Sequence, residues 1–128
     1  MQIPGLQVKL DESALAWRAT RHRGIEWIPL HPDAGTESTP ESHDSTVLIR
    51  MAPGCGYPPH RHLGVEEVFV LRGGYRDQSG EHRAGAYLRY PPGSVHAPVA
   101  LGDPDRAESD ANPSCLLFAA ARGGVENL

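Results

Sequence analysis

The sequence predicts a single all-β domain, a sandwich or small barrel built from short strands. Eight or more β-prone segments follow one another in about a hundred residues, and turn-forming residues separate them. The 14 glycines and 12 prolines are spread along the chain instead of being collected in one tail. No long amphipathic helix, heptad or repeat is found, and 128 residues suffice for one hydrophobic core.

The first segments in order are an arm and two strands. Residues 1–20 form an N-terminal arm in which Trp17 is expected to pack on the body or on a second subunit, and residues 21–128 form the barrel. Residues 24–30 predict an edge strand, because Pro29 cannot donate a ladder hydrogen bond. A polar loop with His31 and His43 follows, and residues 45–51 then form an apolar strand interrupted by Arg50.

The second half of the chain continues the pattern of strand and turn. In residues 65–71, Val68 and Val70 share one face, and Glu67, Phe69 and Leu71 share the other. Residues 75–77 and 81–83 flank a polar turn with Gly80 and predict a hairpin, with His82 outside any motif. Further strands are expected at residues 85–90, 95–97 and 115–121, the last of them after a polar loop over 102–114.

Composition and charge exclude several classes of function. The formal net charge is -4 and the lysines and arginines form no basic stripe, which argues against nucleic-acid binding. No segment approaches the roughly 18 apolar residues of a membrane span, and no signal-like segment is seen at the start, so we expect a cytoplasmic protein. Cys55 and Cys115 are interpreted as free buried thiols, and a redox or ligand role for Cys55 stays open.

The stretch from Gly54 to Gly73 carries the chemistry. His60 and His62 are separated by one residue, so in an extended segment their side chains point to the same face and can share one ion. Two acids, Glu66 and Glu67, follow within five residues. This arrangement predicts a metal site.

The same residues resemble the cupins. The first cupin motif places a glycine, a His-x-His pair, a glutamate and a second glycine at fixed spacing, and it is met by Gly54, His60, His62, Glu66 and Gly73. The second motif is met by Gly85, Pro91, Gly93 and His96, although Ala100 stands where the motif has asparagine. The resemblance implies a single-domain cupin, a double-stranded β-helix or jelly-roll barrel, with an ion in its mouth.

The choice between Glu66 and Glu67 as the acidic ligand depends on a resemblance that extends beyond the two motifs. Glu66 with Gly73 and Glu67 with Gly74 have the same spacing, and the turn expected at Leu63 and Gly64 prevents strand alternation from choosing between the two acids. From about residue 17 to residue 121 the chain resembles the ChrR-like cupin branch, in which the first acid of the pair is the ligand. The resemblance therefore implies Glu66 as ligand and Glu67 as an outward or supporting acid.

A site of three imidazoles and one carboxylate leaves positions open on a divalent ion, which we expect to be zinc, iron, manganese or nickel. Such a charged centre binds oxyanions and lowers the pKa of bound water. The metal ligands expected are His60, His62, Glu66 and His96. The residues expected to line a small-molecule pocket are Arg50, Tyr57, Phe69, Tyr87 and Arg89.

Three functions are compatible with the sequence. The ChrR-like branch resembles cupins that cleave β-diketones with iron and dioxygen, which implies a small-molecule oxygenase, although those relatives use three histidines without the carboxylate. The branch also resembles the C-terminal half of anti-sigma factors, which implies a metal-dependent sensor. A non-redox isomerase or lyase is the third alternative. For each of them a homodimer is expected.

Overall fold

The computed structural model describes residues 3–4, 10–30 and 44–128, and the regular secondary structure within these ranges is almost entirely β. One 3-10 turn, Glu12–Ala14, is the helical element of the described part, and no helix there is long and apolar enough to cross a membrane. The all-β prediction is confirmed. The strands are β1 (Arg18–Ala19), β2 (Ile25–Pro29), β3 (Ser45–Met51), β4 (His60–His62), β5 (Glu66–Arg72), β6 (Gly74–Asp77), β7 (Gly80–Arg83), β8 (Tyr87–Tyr90), β9 (Val95–His96), β10 (Val99–Ala100), β11 (Cys115–Ala121) and β12 (Val125–Asn127).

The strands form three antiparallel sheets. The largest has six strands in the order β1-β2-β3-β11-β5-β8, and two three-stranded sheets have the orders β10-β6-β7 and β12-β4-β9. Strands β3 and β11 pair along their full length, from Cys115 opposite Met51 to Ala121 opposite Ser45. Because sequence-distant strands are paired in this way, the sheet is held together by long-range contacts.

The core lies on one face of the six-stranded sheet, which we call the inner face. Val47, Ile49 and Met51 of β3 are buried, and Leu117 and Ala119 of β11 lie beside them. Alternation along each strand sends these side chains inward. Fully burying one large apolar side chain contributes about 1.5–3 kcal/mol, so this face is a main source of stability.

Strand β5 shows the alternation that its sequence predicts. Val68 and Val70 are buried on the inner face, whereas Glu67, Phe69 and Leu71 are exposed on the opposite face, which we call the outer face. Its neighbours are β11 on one side and β8 on the other. The strand therefore separates a cavity-facing set of residues from a surface set.

Two expectations about elements differ from the structure. β2 was expected at an edge, but β1 pairs with it on its free side, and Pro29 is tolerated because it is the last residue of the strand. Residues 115–121 were expected to be the final strand, but β12 follows and pairs with β4. The hairpin of β6 and β7 agrees with its prediction. His31 and His43 lie outside the described residues.

The described part of the N-terminal arm is anchored to the body by ionic contacts. Both terminal nitrogens of Arg72 donate hydrogen bonds to the Glu12 carboxylate, at 2.7 and 3.0 Å, and these bonds lower the pKa of Glu12. The Arg50 guanidinium stacks 4.2 Å from the centroid of the Trp17 ring. Trp17 thus packs against the body, as one of the two sequence alternatives proposed.

Candidate metal centre

Two of the predicted ligands enter the interior from β4. His60 and His62 are 8% and 1% exposed, while Arg61 between them is exposed, as expected for alternate residues of a strand. Strand β9 pairs antiparallel with β4 and places His96 directly opposite His60. Cross-strand partners project from the same face of a sheet, so His96 joins the pair although it is distant in sequence.

The three buried imidazoles form one cluster. One nitrogen from each of His60, His62 and His96 lies within 4.8 Å of the others. The ring centroids are 5.2 Å apart for His60 and His62, 4.7 Å for His60 and His96, and 4.8 Å for His62 and His96. This spacing is compatible with a single shared ion.

The rings are oriented by contacts through their Nδ1 atoms. Nδ1 of His60 lies 3.0 Å from the carbonyl oxygen of Pro58, and Nδ1 of His96 lies 2.9 Å from Oδ2 of Asp77. Nδ1 of His62 lies 3.3 Å from the hydroxyl of Ser94. When Nδ1 carries the proton, Nε2 keeps the lone pair that a metal requires.

His62 supports this interpretation most directly. Its Nε2 is buried and has no hydrogen-bond partner among the described residues. Burial, helped by the charges of His96 and His60, lowers the pKa of His62 to about 3, so the ring is neutral at physiological pH. A buried lone pair without a donor is costly for a folded protein, and a metal ion would satisfy it.

Glu66 lies next to this unpartnered nitrogen. Its Oε1 is 3.5 Å from Nε2 of His62, too long for a strong hydrogen bond. Burial raises the pKa of Glu66 to about 7 while His62 is held neutral, so the contact is not an ion pair in the metal-free protein. A divalent ion between the two groups would favour the ionised carboxylate.

The structure separates the two acids between which strand alternation could not choose. A bend at Leu63 and Gly64 divides β4 from β5, which is the break in alternation that the sequence suggested. After it, Glu66 falls on the inner face and is 15% exposed, whereas Glu67 is on the outer face with Phe69. Glu66 is therefore placed beside the histidines, and Glu67 points away from them.

Asp77 is a buried carboxylate that sequence reasoning did not single out. Its Oδ2 accepts hydrogen bonds from His96 and from the hydroxyl of Tyr90, which is 2.8 Å away. Its Oδ1 accepts from the backbone and hydroxyl of Ser79 and contacts Nε2 of His82 at 3.2 Å. Burial opposes ionisation, but these bonds outweigh it and lower the pKa of Asp77, so the group is a carboxylate.

The contact with Asp77 also changes the interpretation of His82. The sequence placed this residue on an exposed hairpin outside the motifs, but its side chain is only 16% exposed and faces Asp77. The sequence does place Asp77 two residues after the aromatic Tyr75, on the same face of one strand, and in the structure Tyr75 is buried.

A small cavity adjoins the cluster. Its volume is about 50 Å³, and its wall is formed by His60, Glu66 and His96 together with Tyr57, Tyr75, Pro98 and the apolar residues Ile49, Met51, Val68, Leu117 and Ala119. The wall is largely apolar, with its polar groups gathered at the histidines. An apolar wall with a few polar groups gathered at one end is the usual lining of a small-molecule site, and this cavity is smaller than a typical ligand pocket of roughly 300–1,000 Å³.

Four of the five predicted pocket residues do not line this cavity. Tyr57 does, but Arg50, Phe69, Tyr87 and Arg89 occupy outer-face positions of the six-stranded sheet. Phe69 and Tyr87 are paired across β5 and β8, and Glu67 and Arg89 are paired beside them. Arg50 contacts Glu26 at 2.9 Å. The alternation of side chains along a strand explains why these four residues do not line the cavity, because each of them is next in sequence to a residue whose side chain points inward.

The two cysteines are free thiols. Cys115 is buried at the start of β11, and burial raises the pKa of its thiol to about 12. Cys55 is half-buried and packs against the core. Within the described residues, neither thiol belongs to the histidine cluster.

Comparison with known proteins gives one family and a group of structures. The family model described as the ChrR cupin-like domain matches residues 7–105. A chain from the crystal structure of Rhodobacter sphaeroides SigE in complex with the anti-sigma ChrR is 25% identical, with a TM-score of 0.63 over 87% of this chain and 50% of that chain. This chain thus spans about half the length of that one.

Two enzymes have the same fold at lower identity. An acetylacetone dioxygenase from Acinetobacter johnsonii is 18% identical, with a TM-score of 0.68 over 98% of this chain and 78% of that chain. The polyketide cyclase RemF from Streptomyces resistomycificus is 19% identical, with a TM-score of 0.67 over 96% and 86% of the two chains. No curated protein matches the sequence significantly.

Proposed function

We propose that this chain, which belongs to the ChrR cupin-like domain family, binds one divalent metal ion and acts as a small-molecule oxygenase of the diketone-cleaving type. The observation that carries the proposal is the cluster of three buried histidines with the unpartnered Nε2 of His62. His60, His62 and His96 would hold the ion, with Glu66 as fourth ligand. The expected homodimer and cytoplasmic location belong to the same proposal.

A bound divalent ion would supply a Lewis-acid centre and, if it is redox-active iron, electrons for dioxygen chemistry. The chain's own contribution is the surrounding pocket. Apolar residues such as Met51, Val68 and Leu117 give the cavity an apolar wall, and its volume of about 50 Å³ limits the part of a substrate that can enter. An enolisable diketone fits this description because it combines two carbonyl oxygens with a compact apolar body.

The ligand set bears on the choice of reaction. The diketone-cleaving cupins that the sequence resembles use three histidines without a carboxylate. The presence of Glu66 in the sequence therefore argues against a diketone-cleaving reaction. The diketone-cleaving alternative is supported by the histidines themselves, because His60, His62 and His96 form a cluster within 4.8 Å that does not include Glu66.

A metal-dependent sensor is the second candidate. It is supported by the 25% identity to the chain in the complex with the anti-sigma ChrR. That chain is about twice the length of the region matched here. In this alternative the same histidines would bind a metal, but no turnover would follow. A non-redox isomerase or lyase is supported only by the shared fold of the cyclase.

The proposal is tested by metal analysis and oxygen uptake. Purified protein should contain about one metal ion per chain, and the iron-loaded protein should consume oxygen with acetylacetone or a related β-diketone. His62→Ala and His96→Ala should each lose the metal. Arg61→Ala, which changes the exposed residue between the two histidines of β4, is the matched control and should keep it. Stoichiometric metal without oxygen consumption by the iron form would favour the sensor.

The role of Glu66 is tested separately by proton release. At pH 6 this carboxyl is mainly protonated in the metal-free protein, so coordination should release about one proton that Glu66→Gln cannot release. At pH 8 the difference should vanish, since the group is already ionised. Calorimetric titration with zinc in buffers of different ionisation enthalpy measures the release. Glu67→Gln is the control. Identical proton release by Glu66→Gln and wild type would mean that Glu66 loses no proton on metal binding, and an unchanged zinc affinity in Glu66→Gln would then exclude it as a ligand.

A further inference from the structure

Two buried tyrosines beside the cavity share a hydrogen bond. Tyr75 of β6 is 1% exposed and forms part of the cavity wall, whereas Tyr90 of β8 is buried but is not one of the residues that line it. Their hydroxyl oxygens are 2.5 Å apart, so one hydroxyl donates to the other. The distance alone does not tell which of the two is the donor. The neighbours of Tyr90 decide the direction.

The carboxylate of Asp77 fixes the hydrogen of Tyr90. The Tyr90 hydroxyl lies 2.8 Å from Oδ2 of Asp77, and Nδ1 of His96 contacts the same oxygen. The backbone N–H of Ser79 donates to the other carboxylate oxygen. An ionised carboxylate only accepts hydrogen bonds, so the hydroxyl of Tyr90 donates to it. A phenol has one hydrogen, and Tyr90 therefore has none left for Tyr75.

The hydrogen of Tyr75 is fixed by the same argument. Burial raises the pKa of both phenols, so each keeps its hydrogen at physiological pH. Because Tyr90 gives its hydrogen to Asp77, Tyr75 donates its own hydrogen to Tyr90. The oxygen of Tyr75 then has a lone pair for a further partner but no hydrogen to offer. Within the described part of the chain, Tyr90 is the hydrogen-bond partner found for this hydroxyl.

The surroundings of Tyr75 make the direction of this bond relevant to a ligand. Apart from Tyr57 and the candidate metal ligands, the rest of the cavity wall is apolar. A ligand that enters the cavity loses its bonds to water, so each of its polar groups needs a partner in the wall. A hydroxyl of the ligand can donate to the lone pair of Tyr75. A carbonyl oxygen in the same place would face another acceptor, with no hydrogen between the two.

We propose that Tyr75 is a specificity-determining residue, which accepts a hydrogen bond from the ligand and selects compact neutral molecules that carry a hydroxyl. A ketone of the same size offers only acceptors and binds more weakly. A β-diketone meets the requirement in its enol tautomer, which carries one hydroxyl, and not in its diketo form. The inference rests on the proposed function in taking the cavity as the ligand site, and it applies equally to an oxygenase and to a sensor.

The test compares 2-propanol with acetone, two molecules of nearly equal size of which only the alcohol has a hydrogen-bond donor. Each is titrated into the zinc-loaded full chain carrying ¹³C-labelled tyrosine, and the signals of Tyr75 report binding at the cavity. 2-Propanol should bind roughly tenfold or more tightly than acetone, because the ketone leaves the lone pair of Tyr75 and its own oxygen without a donor.

Two variants separate recognition of the ligand from a structural role of Tyr75. Tyr75→Phe removes the acceptor and should bring the two probes to similar affinities, measured through the signals of Tyr57, whereas a purely structural role would weaken both by the same factor. Tyr90→Phe removes the acceptor of the Tyr75 hydrogen, so Tyr75 can donate to acetone and the preference should shift towards the ketone. Tyr87→Phe changes an exposed phenol on the outer face and should keep the wild-type ratio.

The ratio of affinities is independent of the oxygen chemistry, because zinc is redox-inactive. The same titration of metal-free protein makes it independent of metal binding, so a lack of oxygen uptake by the iron form would count against the proposed function alone. Circular dichroism shows whether each variant is folded. Equal affinities of the two probes in wild type, or an unchanged preference in Tyr75→Phe, would overturn the proposal. It would also be overturned if neither probe shifted the signals of Tyr75.

Discussion

At the scale of single residues, Asp77 shows how the proposed site depends on a group that contacts a ligand histidine from behind and is not itself one of the clustered histidines. It holds His96 through Nδ1, and it is in turn fixed by Tyr90 and Ser79. A carboxylate in this position selects the tautomer that leaves Nε2 available and increases the basicity of the ring. Asp77 is therefore a positioning residue for the proposed metal site.

Replacing Asp77 by asparagine should weaken metal binding by about 10–100-fold, the usual effect of removing a carboxylate behind a ligand histidine. The amide can present its NH₂ group to His96 and favour the wrong tautomer. Competition with a chelator measures the affinity, and the nitrogen chemical shifts of the His96 ring report the tautomer. Ser79→Ala removes a donor to the other carboxylate oxygen and should have a smaller effect. Unchanged affinity in Asp77→Asn would contradict the assignment.

Where a motif fixed both residue type and spacing, the sequence predicted which residues lie together, and that these residues bind a metal stays a prediction. His60, His62 and His96 were predicted as a group and are found together. Asp77 was missed because its contact with His96 spans 19 residues and depends on how two sheets meet. The sequence shows clearly that Phe69 and Tyr87 lie on strands, but it does not show which face of the sheet each side chain occupies. For this reason both were predicted to line the pocket.

At the scale of elements, the connection between β5 and β6 depends on Gly73. This residue has a φ of 66°, in the left-handed region, and a Cβ added to it would lie 2.7 Å from the carbonyl oxygen of Ser114. The tight approach lets the chain leave the six-stranded sheet and enter β6, which carries Asp77. Gly85, just before β8, also has a positive φ of 95°, but a Cβ there would meet nothing within 4 Å.

These two glycines make a matched pair for a stability test. Gly85→Ala should cost about 1–2 kcal/mol, the penalty for a side chain in the left-handed region. Gly73→Ala should cost about 1–3 kcal/mol more, because the backbone of β11 must also shift to relieve the clash. Urea unfolding of both variants measures the difference. Equal costs would mean that the approach of Ser114 is easily relaxed.

At the level of elements, the sequence did not predict the strands that are defined by backbone pairing with a neighbouring strand and not by a pattern of their own side chains. Strand β12 has one half-buried and two exposed residues, so it has no apolar alternation, and it exists because its backbone pairs with β4. β10 is two residues long and pairs with β6. The long strands β3, β5 and β11 were predicted because their side chains carry the pattern themselves.

At the scale of the whole molecule, the six-stranded sheet separates a cavity from an apolar surface groove. Its inner face closes the cavity beside the histidines, and its outer face carries the groove, which is lined by residues that include Leu48, Phe118, Phe69 and Tyr87. The fold class was predictable from the spacing of strands and turns. The surface groove was not, because Leu48, Phe118, Phe69 and Tyr87 are distant in sequence and only the register of four strands aligns them.

The metal-free molecule should show an unusual dependence of stability on pH. His62 has a pKa lowered from 6.5 to about 3, so the unfolded chain binds more protons and stability falls as the pH drops below 6.5. Glu66 has a pKa raised from 4.5 to about 7, so the folded chain binds more protons and stability falls as the pH rises from 4.5 through 7. Between pH 4.5 and 6.5 these two contributions oppose each other.

Replacing Glu66 should leave the destabilising effect of His62 at acidic pH without an opposing contribution. Glu66→Gln should lose stability relative to wild type as the pH falls from 7 to 4.5, by up to about 1.4 kcal/mol per pH unit, because the proton uptake that offsets His62 is gone. Urea unfolding in the presence of a chelator measures the free energy of unfolding at each pH. Glu67→Gln, exposed on the outer face, should follow wild type. Parallel curves for wild type and Glu66→Gln would mean that Glu66 stays ionised in the folded protein, and the histidines alone would then set the acid sensitivity of the empty site.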